Sequence, residues 1–344
     1  VSAKPRARRI NLALQGGGAH GAFTWGVLDA LLEDGRIEFE GLSGTSAGAM
    51  NAAVLADGLL RGGIDGAREA LDGFWSDVAA SGLLFSPTRP TLPLPPAFES
   101  WARSVGFAAF ETWTRLLSPY QFNPFDFNPL REVLGRRIDF EALRAPGCLR
   151  LFVGATAVRS GRVKVFHNAE MSVDALLAST CLPQLFQAVE IDGEPYWDGG
   201  YMGNPVLFPL FYETASPDIL IVHINPIVRE QTPRSPMEIA NRVNEISFNA
   251  SLMREMRAVA FVAKLKDEGW LKPEFEDRLK RIHLHAIRAD ALMATLDVSS
   301  KLSPDRRFLL GLRDSGRQVA REWLEANFEA LGVRDSVDVR SEYL

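Results

Sequence analysis

Hydrophobic positions in this chain fall into short solid runs, separated by stretches where they recur every three or four residues. RINLALQ (9–15), FEGLS (39–43), ILIVHIN (219–225) and IHLHAI (282–287) are the solid runs. Their length and lack of polar alternation predict strands, the first and third buried on both faces. Leu149–Val158 and Arg162–His167 predict a strand pair turning at Ser160-Gly161, and Ala188–Trp197 predicts a hairpin turning at Asp192-Gly193. Helical spacing covers Ala22–Leu32, where Phe23, Val27, Leu28, Leu31 and Leu32 recur and Gly35 stands where a helix would stop. Asp174–Ala178, Met237–Lys266 and Leu309–Leu331 predict further helices. Ala47–Leu60 predicts a slender one, because Ala47, Gly48, Ala49, Ala52, Ala53 and Ala56 let it approach a sheet closely. Strands alternating with helices predict an α/β fold, a three-layer α/β/α sandwich around a mixed, mostly parallel central sheet. There is no internal repeat and no low-complexity segment.

One stretch breaks the rhythm. Residues 82–129 are proline-rich at first and carry ten aromatics in 48 positions, against 10% aromatics in the chain as a whole. Phe98, Trp101, Val105, Ala109, Trp113 and Leu116 fall near one helical face. An inward-packing subdomain explains this pattern. So does a cap that lines an acyl-chain pocket or dips into a lipid interface. The expected organisation is one catalytic domain over 9–333, with 82–129 inserted in it as a cap and 1–8 and 334–344 as terminal arms.

Composition narrows the classes. A chain of 344 residues, 47% hydrophobic, can bury a large core. A net charge of -5 gives no reason to expect nucleic acid as a partner. The basic run of Lys4, Arg6, Arg8 and Arg9 reads as a solvated arm, with weak attraction to anionic lipid as the sharper alternative. Cys148 and Cys181 form neither a disulfide framework nor a metal-type spacing, and they suit a reducing compartment. No apolar run approaches the length of a membrane span and no secretory signal precedes the first strand. A cytoplasmic location is expected, with peripheral membrane contact as an option. Oligomeric state is not legible.

The chemistry concentrates in three glycine-bearing motifs. Gly44-Thr45-Ser46-Ala47-Gly48 closes one predicted strand and opens the slender helix. A serine on a sharp strand-to-helix turn projects its hydroxyl clear of the backbone, and the flanking glycines leave room for a reacting carbonyl. Short glycine-serine patterns also occur in ordinary turns. Upstream, Gly16-Gly17-Gly18-Ala19 follows a strand and precedes a helix, an arrangement whose backbone N–H groups favour negative charge. Gly16, Gly18 and Gly21 also fit the dinucleotide-binding pattern G-x-G-x-x-G, with Glu38 or Glu40 near the ribose position. Against that reading, the next strand ends in a nucleophile-elbow pattern rather than a bare acid. Far downstream stands Asp198-Gly199-Gly200, which alone reads as a plain turn. Ser46 needs a base within hydrogen-bond reach. None of His20, His167, His223, His283 and His285 lies in a loop beside a triad-like acid, so each reads as structural. Asp198 is the better candidate, its glycines letting the carboxylate turn toward another loop. No His, Asp or Glu cluster has metal-ligand spacing, so no metal or other cofactor is expected.

Taken in order, glycine-rich loop, G-x-S-x-G and D-G-G resemble the patatin-like phospholipase family. Leu12–Ala56 resembles it almost throughout, as do Ala178-Ser179-Thr180-Cys181-Leu182-Pro183, Tyr196-Trp197-Asp198-Gly199-Gly200 and Asn204-Pro205. The likeness spans about residues 9–228. It implies a sandwich of patatin type and a Ser46–Asp198 dyad with no histidine. The backbone of Gly16, Gly17, Gly18 and Ala19 would hold an oxyanion, Gly44 and Gly48 would shape the elbow, and Gly199 and Gly200 would support the acid. The implied substrates are acyl esters of lipids, cleaved through an acyl-Ser46 intermediate. An acyltransferase, a thioesterase, an intracellular polyester hydrolase or a non-catalytic lipid binder would use the same fold. Two positions depart from the family: Gln15 stands where many members have aspartate, and His20 where many have arginine. A fixed positive charge at the loop is thereby in question. If His20 supplies one, activity carries a titration in the histidine range.

Overall fold

The computed structural model describes residues 7–81 and 116–344, except residue 277 and the side chain of Met237. An eight-stranded sheet forms the middle layer. Its strands are β1 (Arg8–Leu14), β2 (Ile37–Thr45), β3 (Arg150–Ala157), β4 (Val163–His167), β5 (Val189–Ile191), β6 (Glu194–Asp198), β7 (Asp218–Val222) and β8 (His283–Ile287). β3, β2, β1, β7 and β8 lie side by side and parallel. β4 and the β5–β6 hairpin run antiparallel beyond them. The three-layer sandwich expected from the sequence is the observed fold.

The helices that position the site are α1 (Gly21–Asp34), α2 (Ala47–Ser81), α3 (Val173–Ser179), α4 (Pro236–Asp267) and α5 (Arg306–Asn327). Successive strand residues face opposite ways, and the core divides accordingly. Leu12 and Leu14 join the cluster containing Phe23 and Leu28 of α1, Leu55 of α2 and Leu324 of α5. Ala13, Ile219 and Ile221 join the cluster containing Leu252 and Met256 of α4. α1 is walled in on nearly all sides, which explains why most of its residues are buried. It crosses α5 at glycines: a Cβ on Gly26 would stand 1.9 Å from Arg313 O, and one on Gly316 would stand 2.1 Å from Phe23 O. α2 is broken at Gly62-Gly63, whose backbone leaves helical geometry, so the slender helix foreseen over 47–60 ends there and a second continues to Ser81.

Three parts of the expected organisation stand apart. The aromatic face over residues 97–117 and most of the foreseen cap lie outside the described residues. From 116 onward the chain forms short helices, Pro119–Phe122, Pro129–Arg137 and Phe140–Arg144, where periodicity had predicted none. Residues 334–344, foreseen as an arm, fold against the sheet: Asp335 Oδ1 accepts from Leu284 N at 2.7 Å, Ser336 N donates to Leu284 O at 3.0 Å, and Tyr343 is buried.

Candidate active site

Register alone brings Ser46 beside Asp198. β3 residues 152–154 pair with β2 along one edge and with β4 along the other. β2 stops at Thr45, opposite Gly154. Ala155 and Thr156 remain paired to β4, so β6, which pairs with both and with Ala157, must occupy the edge that β2 has vacated. Asp198 therefore sits opposite Ala155, one rung beyond Thr45. The chain leaving β2 at Ser46 and the chain ending β6 at Asp198 meet at that point.

Ser46 takes a left-handed φ of 54°, the strained conformation expected of a serine on such a turn. Three contacts hold it. Its N–H donates to Ser179 Oγ at 2.9 Å, Ser179 Oγ donates to Gly154 O at 2.6 Å, and Thr45 Oγ1 donates to Gly203 O at 2.6 Å. Gly48 lies against β1, where a Cβ would come within 2.1 Å of Leu14 O, and Gly44 lies against Gly48 itself. The elbow is thus packed too tightly for a side chain on either glycine.

The Ser46 side chain lies beside the Asp198 carboxyl, close enough to favour its ionised form. Asp198 Oδ1 accepts Gly200 N at 2.7 Å, and its own N–H donates to Cys181 O at 2.7 Å. Asp198 is 1% exposed and Ser46 8%. Burial raises the Asp198 carboxyl to about 7, against the Gly200 hydrogen bond, the Ser46 side chain and the Lys301 charge, which pull the other way. Gly199 presses on Gly154 O and Gly200 on the Phe248 ring, so both glycines serve close packing behind the acid.

The glycine loop lies directly over the elbow. A Cβ on Gly16 would stand 2.7 Å from both Ser46 Cβ and Thr45 O. Sequence reasoning grouped Gly16 with Gly17, Gly18 and Ala19 as oxyanion donors; the structure corrects this for Gly16. Its N–H donates to Asn204 Oδ1 at 2.6 Å and is already committed. Among the described residues, no acceptor takes the N–H groups of Gly17, Gly18 or Ala19. Gly18 has a φ of 59°. A neutral amide network anchors the loop from below: Gln15 Oε1 accepts Ile224 N and Asn225 N, both at 3.0 Å, and Gln15 Nε2 donates to Asn249 Oδ1 at 3.0 Å. Asn225 Nδ2 in turn donates to Gly16 O at 2.8 Å.

The surroundings of His20 disfavour its charged form. It is buried, with Nε2 at 2.7 Å from Ser300 Oγ, and burial together with the Lys301 charge depresses it to about 3. Two further histidines lie in hydrogen bonds away from Ser46: His223 Nε2 lies 2.8 Å from Tyr343 Oη and His285 Nε2 lies 3.0 Å from Asp218 Oδ1. Lys301 had not been foreseen here. It lies in a short 3₁₀ helix, Val298–Leu302, outside the region of family resemblance and with no local pattern to mark it. Asn225 and Asn249 also carried no spacing signal, whereas Ser179 and Asn204 stand inside segments that resembled the family.

A cavity of about 400 Å³ opens between the Phe208–Glu213 helix and α4, lined by Met202, Val206, Phe211, Glu255 and Val259 among others. Neither Ser46 nor Asp198 lines it. Among the described residues, no cluster of three His, Cys, Asp or Glu side chains is arranged to hold a metal ion. No helix among them is long and apolar enough to cross a membrane.

A serine elbow, an adjoining buried carboxyl and a loop whose amides lack acceptors among the described residues make up an arrangement suited to acyl transfer. The sequence profile described as Patatin-like phospholipase matches residues 12–211, more than half of the chain. The chain belongs to the patatin-like phospholipase family, a family of lipid acyl hydrolases. Among solved structures it is similar to VipD from Legionella pneumophila, at 18% identity and a TM-score of 0.44, over 94% of this chain and 67% of that one. No curated protein matches it in sequence.

Proposed function

We propose that this protein hydrolyses acyl esters of lipids through a Ser46–Asp198 dyad and a covalent acyl-enzyme. The observation that carries the reading is the strand register that sets Ser46 beside the Asp198 carboxyl, next to three backbone N–H groups that lack acceptors among the described residues. Ser46 Oγ attacks the ester carbonyl as its proton passes to Asp198. The N–H groups of Gly17, Gly18 and Ala19 receive the charge that forms on the carbonyl oxygen. Collapse of the tetrahedral species breaks the bond to the alcohol, which leaves with the proton held by Asp198. Water, deprotonated by Asp198, then attacks the acyl-Ser46 carbonyl. A second collapse releases the fatty acid and returns the proton to Ser46.

A carboxyl raised to about 7 suits this shuttling, because it can accept and return a proton near neutrality. Exposed apolar side chains at Leu116, Tyr120 and Phe125 supply a surface that could rest on a lipid aggregate. The test is turnover of short- and long-chain nitrophenyl esters by purified protein. Ser46→Ala and Asp198→Asn are each expected to lose on the order of 10³-fold or more in kcat while staying folded. Parental turnover by either variant would refute the dyad.

A further inference from the structure

Among the described residues, Lys301 is the lysine or arginine whose charge acts on both Asp198 and the glycine loop's His20. Its backbone carbonyl roofs the loop, 2.3 Å from where a Cβ on Gly18 would stand. Its Nζ donates to Asn225 Oδ1 at 2.9 Å and to Asn244 Oδ1 at 3.0 Å, and stands 5.4 Å from the centre of the Phe248 ring. Asn225 is the residue that grips Gly16 O, and Phe248 is the ring that packs on Gly200. One side chain therefore touches the supports of both the oxyanion loop and the acid block.

Its direct partners are all neutral. The nearby acid on α4, Glu245, is already ion-paired with Arg229 and Arg242. A desolvated ammonium held only by amides and a ring face is an expensive way to make a structural contact. It makes physical sense where negative charge arises beside it. Two of its three N–H donors are assigned to the asparagines.

We propose that Lys301 is a positioning residue of the oxyanion loop, holding it through Asn225 and giving it the fixed positive charge that His20 does not provide. The inference rests on the acyl-hydrolase reading above. The charged groups acting on its ammonium are Glu245 on α4 and Asp198 at the end of β6; His20 of the glycine loop feels its charge, and Asp297 caps its own helix. Burial lowers the ammonium to about 8, opposed by Glu245 and Asp198. The charge is complete below that pH and is lost above it.

The experiment measures the rate of Ser46 labelling by a fluorophosphonate between pH 6 and 10, in the parent, Ser46→Ala, Lys301→Gln, Lys301→Arg and Asn244→Leu. Expected for the parent is a fall in rate above about pH 8. Lys301→Gln keeps hydrogen-bonding capacity without charge; it should label about tenfold or more slowly at pH 7 and lose the alkaline fall. Lys301→Arg should recover most of the rate and carry it to higher pH, because guanidinium stays charged. A folded Lys301→Gln that labels at the parental rate with the alkaline fall intact overturns the proposal. Should Lys301→Gln not fold, Asn244→Leu decides: losing an acceptor for the ammonium should move the fall to lower pH, and an unmoved fall overturns the proposal. A parent that does not label, or labels equally as Ser46→Ala, removes the acyl-hydrolase reading, and the role of Lys301 falls with it.

Discussion

A buried carboxyl is a cost to the fold. In the unfolded chain Asp198 ionises near 3.8, and in the folded one near 7. A raised carboxyl favours the protonated form when folded, so stability is lost as pH rises from about 4 to 7, and the cost is complete above that. Asparagine carries no such cost. Asp198→Asn should therefore be more stable than the parent at pH 8, by an amount on the order of 2 kcal/mol, discounted from the ~1.4 kcal/mol per unit that linkage allows. Urea unfolding at pH 8 and at pH 4.5 checks this, with the advantage shrinking toward the acid side. In the proposed dyad this carboxyl is ionised before it accepts the Ser46 proton, so kcat/KM should rise with pH through about 7. His20→Ala should leave that limb where it is, since the imidazole is neutral throughout the range. A shifted acid limb in His20→Ala would show that the histidine is coupled to the reaction after all.

At the scale of elements, two contacts decide whether the floor of the site stays in place. α1 follows directly from the glycine loop, and α5 holds α1 down where Gly26 meets the Arg313 carbonyl and Gly316 meets the Phe23 carbonyl. Asp29 and Glu33 of α1 reach across to Arg317, with Glu33 also meeting Arg321. Gly316→Ala would drive a methyl into backbone that cannot yield, and it should cost about 1–3 kcal/mol despite the better helix propensity of alanine. Chemical denaturation is the measurement, and an unchanged or raised midpoint would show that the helices can separate without loss.

Much at this scale was legible in the sequence. The solid runs, Gly35 and the Asp192-Gly193 turn announced their elements because each depends on local backbone chemistry. Asp192 and Gly193 both take positive φ, as that hairpin requires. The register that sets β6 against the end of β3 was hidden, because pairing between distant strands leaves no mark in either one. The amide network of Gln15, Asn204, Asn225 and Asn249 was hidden for a similar reason: small polar side chains acquire meaning only from the partners that a fold brings to them. Gly16 shows the limit of motif reading most clearly. The pattern located the loop, but only coordinates show which of its N–H groups are already spent.

For the molecule as a whole, the C-terminal segment closes the far side of the sheet. Tyr343 is buried against the other core cluster and its hydroxyl meets His223, whose imidazole burial depresses to about 3. His223 is neutral in the fold but protonates near 6.5 once unfolded. Its contribution is therefore present above about 6.5 and is lost as pH falls toward 3. Tyr343→Phe would leave a buried ring nitrogen without its partner and should cost about 1–3 kcal/mol, with kcat at low temperature unaffected. A melting temperature equal to the parent's would show that water replaces the hydroxyl.

The shared edge of β3 has a bearing on how such a protein can diversify. Thr45, just before Ser46, and Asp198 pair with consecutive residues of β3, so the distance between Ser46 and Asp198 is set by strand register rather than by loops or by closure around a substrate. Changes in surrounding helices or in insertions can reshape what is admitted without disturbing that spacing. One residue added to β3 between Gly154 and Ala155 would separate the pair while leaving every reactive atom present.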